Sequence, residues 1–218
     1  MILFISHYAG RTGAPIALLQ LLRWIRQNTD MDFDILLQLD GELAKEFKAI
    51  APTFVCENRP KHLLSMRNAN PQCPLRLPSP IRVKQYSLIY ANTIANGSLV
   101  ASSFSKSIPL ITHCHEMDYW MDKLSQNEMP STLARTTEFI ACSNPSSGCL
   151  IKRGVLPSRI QVIPEPFTAP SYSVSRTTNK GLRQELGIPD DSFVVISGGA
   201  EPWRKGKDLF VQDRKSVV

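Results

Sequence analysis

The stretch YSLIYANTIANGSLVASSFSKSIPLITHCHE, residues 86–116, decides the fold class. An apolar run of strand length, Tyr86 to Ala91, gives way to helical spacing over Ser98 to Ser105. A second apolar run follows at Pro109 to Thr112. Two strands joined by a helix read as a parallel βαβ unit, because parallel neighbours need a long crossover. The alternation continues outward on both sides. Upstream, Ile2 to Ser6, Phe33 to Leu37 and the short Thr53 to Val55 read as strands. Helical patterns lie over Pro15 to Ile25 and Gly41 to Ile50. Downstream, helices are expected near Tyr119 to Leu124 and Ser131 to Arg135, and strands at Glu138 to Ala141 and Arg159 to Ile163. Between those strands Ser143 and Asn144 can cap a helix with Pro145 in its first turn and Gly154 at its end. Residues 57–80, with several prolines, asparagines and basic residues, read as loop and irregular helix. The expectation is an α/β fold: a Rossmann-like parallel sheet with helices on both faces, over residues 1–167.

Residues 168–180 are rich in Pro, Ser and Thr without periodicity, which is the composition of a linker. Beyond them Lys180 to Leu186 reads as a helix, Ser192 to Ile196 as a strand, and Gly198 to Gly206 as a loop entering another helix. This is one strand–loop–helix unit of a second Rossmann-like domain, 181–218. One such unit cannot bury a core of its own. The expectation is that the sequence is a truncated piece of a longer protein; residues 213–218 carry no pattern that can be read.

The 218 residues are 43% hydrophobic and 20% charged, which excludes disordered and fibrous classes. No stretch approaches the roughly 18–20 apolar residues of a membrane span. The N-terminal MILFIS has no basic region or cleavage site and reads as a strand rather than a signal peptide. Five cysteines, at 56, 73, 114, 142 and 149, form no CxxC pair, so reduced thiols and a cytoplasmic location are expected. Net charge is +6, with basic residues dense between Lys45 and Lys84. They form no compact run, and nucleic acid is not expected as a partner. The basic stretch and the helix carrying Trp24 are compatible with peripheral association at the inner face of a membrane.

Three constellations carry candidate chemistry. The loop from His7 to Pro15 joins the first strand to a helix. Gly10, Thr12 and Gly13 there suit either a phosphate cradle at a helix N-terminus or a ligand-free turn. It is not a GxGxxG dinucleotide fingerprint. The run Thr112 to Asp118 stands at the carboxyl end of a strand, where α/β sheets bind ligands. His113 and His115 share a face there if the strand continues. They suit a sugar-orienting histidine, a two-histidine metal site helped by Glu116 or Asp118, or histidines satisfied inside a loop. In the run Gly198 to Asp208, Arg204 and Lys205 precede a helix start, which suits a diphosphate site or a solvated basic loop.

Taken together, IYANT (89–93), ITHCHE (111–116), FIACSN (139–144), IQVIPEPF (160–167) and WRKGKDLF (203–210) resemble, in order and spacing, glycosyltransferase family 4. This resemblance implies a retaining enzyme of the GT-B fold that takes a nucleoside-diphosphate sugar as donor, with no metal or other cofactor. The acceptor would be a glycan, a lipid-linked sugar or a small molecule, as in cell-envelope or polysaccharide biosynthesis. It implies that His115 acts on the donor sugar, with His113 as fallback and Glu116 beside them. Gly13, Gly10, Thr12 and Asn92 would line the donor side, and Lys205 with Arg204 would bind the diphosphate. Gly199 stands where many members carry Arg, and Glu165-Pro166 where many carry Asn-Gly. The family's spaced glutamate pair has no counterpart here, so the fragment is expected to be inactive alone. The other readings are a non-catalytic Rossmann-like binding module and a metal-dependent hydrolase using His113 and His115.

Overall fold

The computed structural model describes residues 1–57, 75–124, 128–165, 178–199 and 205–213. The chain divides into two compact units, Met1–Phe167 and Thr168–Val218.

The first unit is built on a seven-stranded, all-parallel sheet. Its strands are β1 (Ile2–Ser6), β2 (Phe33–Leu37), β3 (Thr53–Val55), β4 (Leu88–Asn92), β5 (Leu110–Cys114), β6 (Glu138–Ala141) and β7 (Ile160–Val162). Their order is β3-β2-β1-β4-β5-β6-β7. Each of the first three strands adds outward on one side. The chain then returns past β1 and adds the rest on the other. The reversal falls between β1 and β4, where such sheets open a crevice at their carboxyl ends.

Continuous apolar runs such as Phe33-Asp-Ile-Leu-Leu37 are what a parallel strand covered on both faces requires. Side chains alternate between the faces. Phe4, Phe33, Ile35 and Tyr90 join Leu18, Leu19 and Leu22 of α1 (Gly13–Asn28) and Phe47 of α2 (Ala44–Lys48). Leu3, Ile5, Leu36 and Ile89 face the other way, onto Ile81 of α3 (Ser79–Val83) and Leu99 and Val100 of α4 (Gly97–Ser103). Each such buried side chain contributes roughly 1.5–3 kcal/mol. A third cluster, around Met121 of α5 (Asp118–Lys123), Phe139 and Leu150 of α7 (Asn144–Lys152), covers the β5–β7 side. Between α5 and α7 in sequence, α6 (Glu128–Arg135) crosses α4 at Gly97. A Cβ there would lie 2.0 Å from Thr132 Oγ1 and 2.8 Å from Glu128 O, so only glycine permits the approach.

One polar residue breaks the apolar pattern of β2. Asp34 is buried and takes hydrogen bonds from Lys84 Nζ at 2.7 and 3.0 Å and from the Tyr86 hydroxyl at 2.7 Å. Burial, and then the Asp34 carboxylate, push the Tyr86 hydroxyl far up from its ordinary range.

The expected strands and helices of this unit form close to their sequence positions. One extension matters most: β5 runs on through His113 to Cys114. Of the irregular segment 57–80, residues 58–74 lie outside the described residues.

In the second unit α8 (Thr178–Glu185) and α9 (Lys207–Asp213) form. The expected linker lies outside the described residues up to 177, as does Arg204. The strand expected at Ser192 to Ile196 does not form: residues 192–199 are irregular. Phe193 is 93% and Ile196 86% exposed. An apolar, β-prone segment becomes a strand only when a neighbour completes its ladder, and none pairs with it among the described residues.

Candidate active site at the carboxyl ends of the strands

Four strand ends of the first unit converge. From β1 comes the loop with His7, from β4 Asn92 and Thr93, from β5 His113 and His115, and from the segment after β7 Glu165. Because β5 extends to Cys114, His113 and His115 point the same way, with ring centroids 4.1 Å apart and planes at 37°.

His115 is held at both nitrogens. Its Nε2 lies 3.0 Å from Asn92 Oδ1. The buried Asn92 amide is oriented by its other end, where Nδ2 donates to the Ala14 carbonyl at 2.9 Å. Oδ1 therefore faces the imidazole and accepts from Nε2. On the other side Nδ1 meets the Glu165 carboxylate. That hydrogen bond with His115 holds the Glu165 carboxyl below its usual range. Glu116, the sequence candidate beside His115, turns back on its own loop and accepts from the His115 N–H at 3.0 Å. Burial raises its carboxyl.

His113 is more deeply buried, at 8% exposure. Its Nδ1 lies 2.6 Å from the Tyr90 hydroxyl. Its buried Nε2 has no hydrogen-bond partner among the described residues. Burial, and then the neighbouring His115, push its pKa down to about 3, so it is a neutral imidazole at ordinary pH. Asp118, the other expected helper of a metal, is drawn away into ion pairs with Lys152 and Arg153.

The first loop reaches the same crevice through Ala14. The Thr12 side chain makes no cap hydrogen bond to α1; its hydroxyl pairs with that of Tyr8. The N–H groups of Gly13 and Ala14 have no partner among the described residues, and open space lies where a Gly13 Cβ would be. Two free N–H groups at the start of a 16-residue helix are suited to an anion. Gly10 lies under the Tyr8 ring. Thr93, directly after Asn92, has φ 144° and ψ 159°. It is the only non-glycine residue with positive φ among the described residues. A β-branched residue there costs on the order of 1–3 kcal/mol. Its Oγ1 accepts from Ala95 N at 3.2 Å and lies 3.4 Å from His7 Nδ1. Burial, then His115, lower the His7 pKa to about 4.

The strand ends thus bring together His115, His113 and Asn92, with Ala14 of the first loop beside Asn92. Glu165 and Thr93 were not singled out as site residues from sequence. Glu165 follows the last strand just as His115 follows β5, but nothing local in the sequence pairs the two.

In the second unit Lys205 is exposed at the rim of a shallow open depression shared with Ser197 and Phe210. Gly199 has φ 144°, and a Cβ on it would fall 2.7 Å from Lys205 Cγ. The aliphatic stem of Lys205 occupies the room that a side chain at position 199 would need, which accounts for glycine there.

Several solved glycosyltransferase structures resemble the chain in fold. HepE of Anabaena, solved in complex with UDP and glucose, superposes with a TM-score of 0.69 at 22% identity. The match takes in 100% of this chain and 58% of HepE. WaaG, a glycosyltransferase involved in lipopolysaccharide biosynthesis, gives 0.57 at 13% identity, over 97% of this chain and 58% of WaaG. The lipopolysaccharide outer core galactosyltransferase WaaB gives 0.57 at 10% identity, over 78% and 47%. These likenesses concern the fold, and the chain spans about half the length of these proteins. No curated protein matches the sequence. The family model described as Glycosyltransferase Family 4 matches residues 37–167, from the end of β2 to just past Glu165. With more than half of its residues matched and the N-terminal sheet of the GT-B fold in place, the chain belongs to Glycosyltransferase Family 4.

Proposed function

We propose that the chain serves in transferring a sugar from a nucleoside-diphosphate sugar to a glycan, lipid-linked or small-molecule acceptor with retention of configuration. The observation that carries this reading is the His115 imidazole, pinned through Asn92 to the N-terminus of α1 at the sheet's switch point. In transfer the bond between the anomeric carbon and the diphosphate oxygen breaks, an acceptor oxygen bonds that carbon, and the acceptor hydroxyl loses its proton. Negative charge builds on the departing diphosphate. Fixed N–H groups and a cation stabilise it where it develops. The free N–H groups of Gly13 and Ala14 suit that role, with Gly10 and Thr12 shaping the loop. Lys205, with Arg204, is assigned to the diphosphate. His115 is assigned to the donor sugar. HepE was solved with UDP and glucose, which supports a uridine nucleotide as the first donor to test. No metal is needed for these steps, and the acceptor chemistry fits work at the cytoplasmic face of a membrane. Among the described residues no helix is long and apolar enough to cross one.

Calorimetric titration with UDP and assays of donor consumption, both on the full-length protein, test the assignment. Lys205→Ala should weaken UDP binding. His115→Ala should leave UDP binding nearly unchanged and lower turnover by on the order of a hundredfold. Unchanged turnover in His115→Ala, or UDP affinity indifferent to Lys205, overturns it.

A further inference from the structure

The crevice holds a polar group that the transfer reaction does not employ. His113 Nε2 is buried and has no hydrogen-bond partner among the described residues, a condition that costs about 1–3 kcal/mol unless a ligand relieves it. Beside it stand the His115 imidazole and the Glu165 carboxylate. One donor atom from each of the three lies within 4.8 Å of the other two.

The outer contacts are those a metal site requires. A ligating imidazole normally has its second nitrogen fixed by a polar partner. His113 has Nδ1 on the Tyr90 hydroxyl at 2.6 Å, which leaves Nε2 for a ligand. His115 has Nε2 on Asn92 Oδ1 at 3.0 Å, and that amide is itself locked to Ala14 O, which leaves Nδ1. In His115 the nitrogen on Asn92 is the one that does not meet Glu165. Glu165 is half-exposed and follows β7, so its carboxylate can withdraw from Nδ1 and admit an ion between them.

We propose that His113 Nε2, His115 Nδ1 and Glu165 bind one divalent ion of the zinc class. Two imidazoles and one carboxylate select zinc and its neighbours over magnesium and calcium, which take oxygen ligands. Three protein ligands leave a fourth tetrahedral position for water. The site differs from the sequence expectation in its carboxylate: Glu165 takes the place given to Glu116 or Asp118. On the reading of His115 as a donor-sugar residue, the ion takes up that imidazole and inhibits transfer rather than driving it.

The metal-free 218-residue chain is titrated with Zn²⁺ by calorimetry and with Co²⁺ by visible absorption, without donor or acceptor. One ion per chain and tetrahedral Co²⁺ bands are expected. Glu165→Gln, at a half-exposed position, should weaken binding by about tenfold or more, and so should His113→Gln. Tyr90→Phe, which keeps all three ligands, should weaken it by on the order of tenfold. Circular dichroism identifies any variant that fails to fold. Absence of binding overturns the proposal, as does affinity unchanged in Glu165→Gln. A thiolate-to-Co²⁺ charge-transfer band also overturns it, because it places the ion on a cysteine. None of these readouts involves sugar transfer. A chain that binds zinc but fails the UDP assays leaves this site standing, and one that binds UDP but not zinc leaves the transferase reading standing.

Discussion

Replacing His7 by Gln should flatten the pH dependence of stability on the acid side of neutrality. The His7 ring packs at a tilt against Tyr8, centroids 4.4 Å apart, and among the described residues its Nδ1 has only the long contact to Thr93 Oγ1. Burial first, and then His115, lower its pKa to about 4, against about 6.5 in an unfolded chain. Between these values the unfolded state binds a proton that the folded state refuses. Stability therefore rises with pH across that window and is lost as pH falls from about 6.5 toward about 4. The slope approaches about 1.2 kcal/mol per pH unit near pH 5 and integrates to about 1.8 kcal/mol between pH 7 and 5. Water reaching the exposed edge of the ring reduces this to roughly 1–1.5 kcal/mol. Urea unfolding of the native chain and His7→Gln, at about pH 7, 6 and 5 with a chelator present, measures the difference in slope. His113 is common to both chains, so its own contribution cancels. Parallel slopes would refute the claim that His7 is buried as a neutral imidazole, whatever the absolute stability of the variant.

Lys84→Met leaves the Asp34 carboxylate buried with only the Tyr86 hydroxyl as donor. With Lys84 itself 33% exposed, a loss of about 2–4 kcal/mol in urea unfolding is expected, most of it recovered in Asp34→Leu/Lys84→Met. Gly97→Val forces α4 away from α6 and should cost about 1–3 kcal/mol or more in thermal melts; a neutral result would mean that the two helices do not meet at Gly97. Thr93→Ala and Thr93→Gly both lose the bond from Ala95 N, but only glycine relieves the backbone. The glycine variant should be the more stable of the two by about 1 kcal/mol, and the reverse order would remove the case for strain at this position.

Much of this architecture is legible in the sequence because parallel strands buried on both faces write themselves as apolar runs between helical patterns. The pair His113 and His115 was legible for the same reason: a spacing of two at a strand end puts both rings on one side. Glu165 was not, because it stands fifty residues away. Only the pairing of β5 with β6 and of β6 with β7 brings it to His115. The φ of Thr93 leaves no mark in composition. At Phe193-Val-Val-Ile196 the local signal was misleading. The run has every property of a strand except a neighbour, and pairing is not a local property.

The position of β1 has a kinetic consequence. It pairs with β2 over the register Ile2 to Phe33 on one side, and with β4 over Ile2 to Leu88 on the other. The first of these loops is short, and β1, α1 and β2 emerge consecutively during synthesis. The second closes only after a much longer segment is in hand, and long loops fold slowly because their closure entropy precedes any reward. Until β4 arrives, the far edge of β1, with Leu3 and Ile5 on one face and Phe4 on the other, is an open ladder. The nascent chain thus carries an aggregation-prone edge at the centre of the future sheet, and the docking of β4 both creates the ligand crevice and removes that edge.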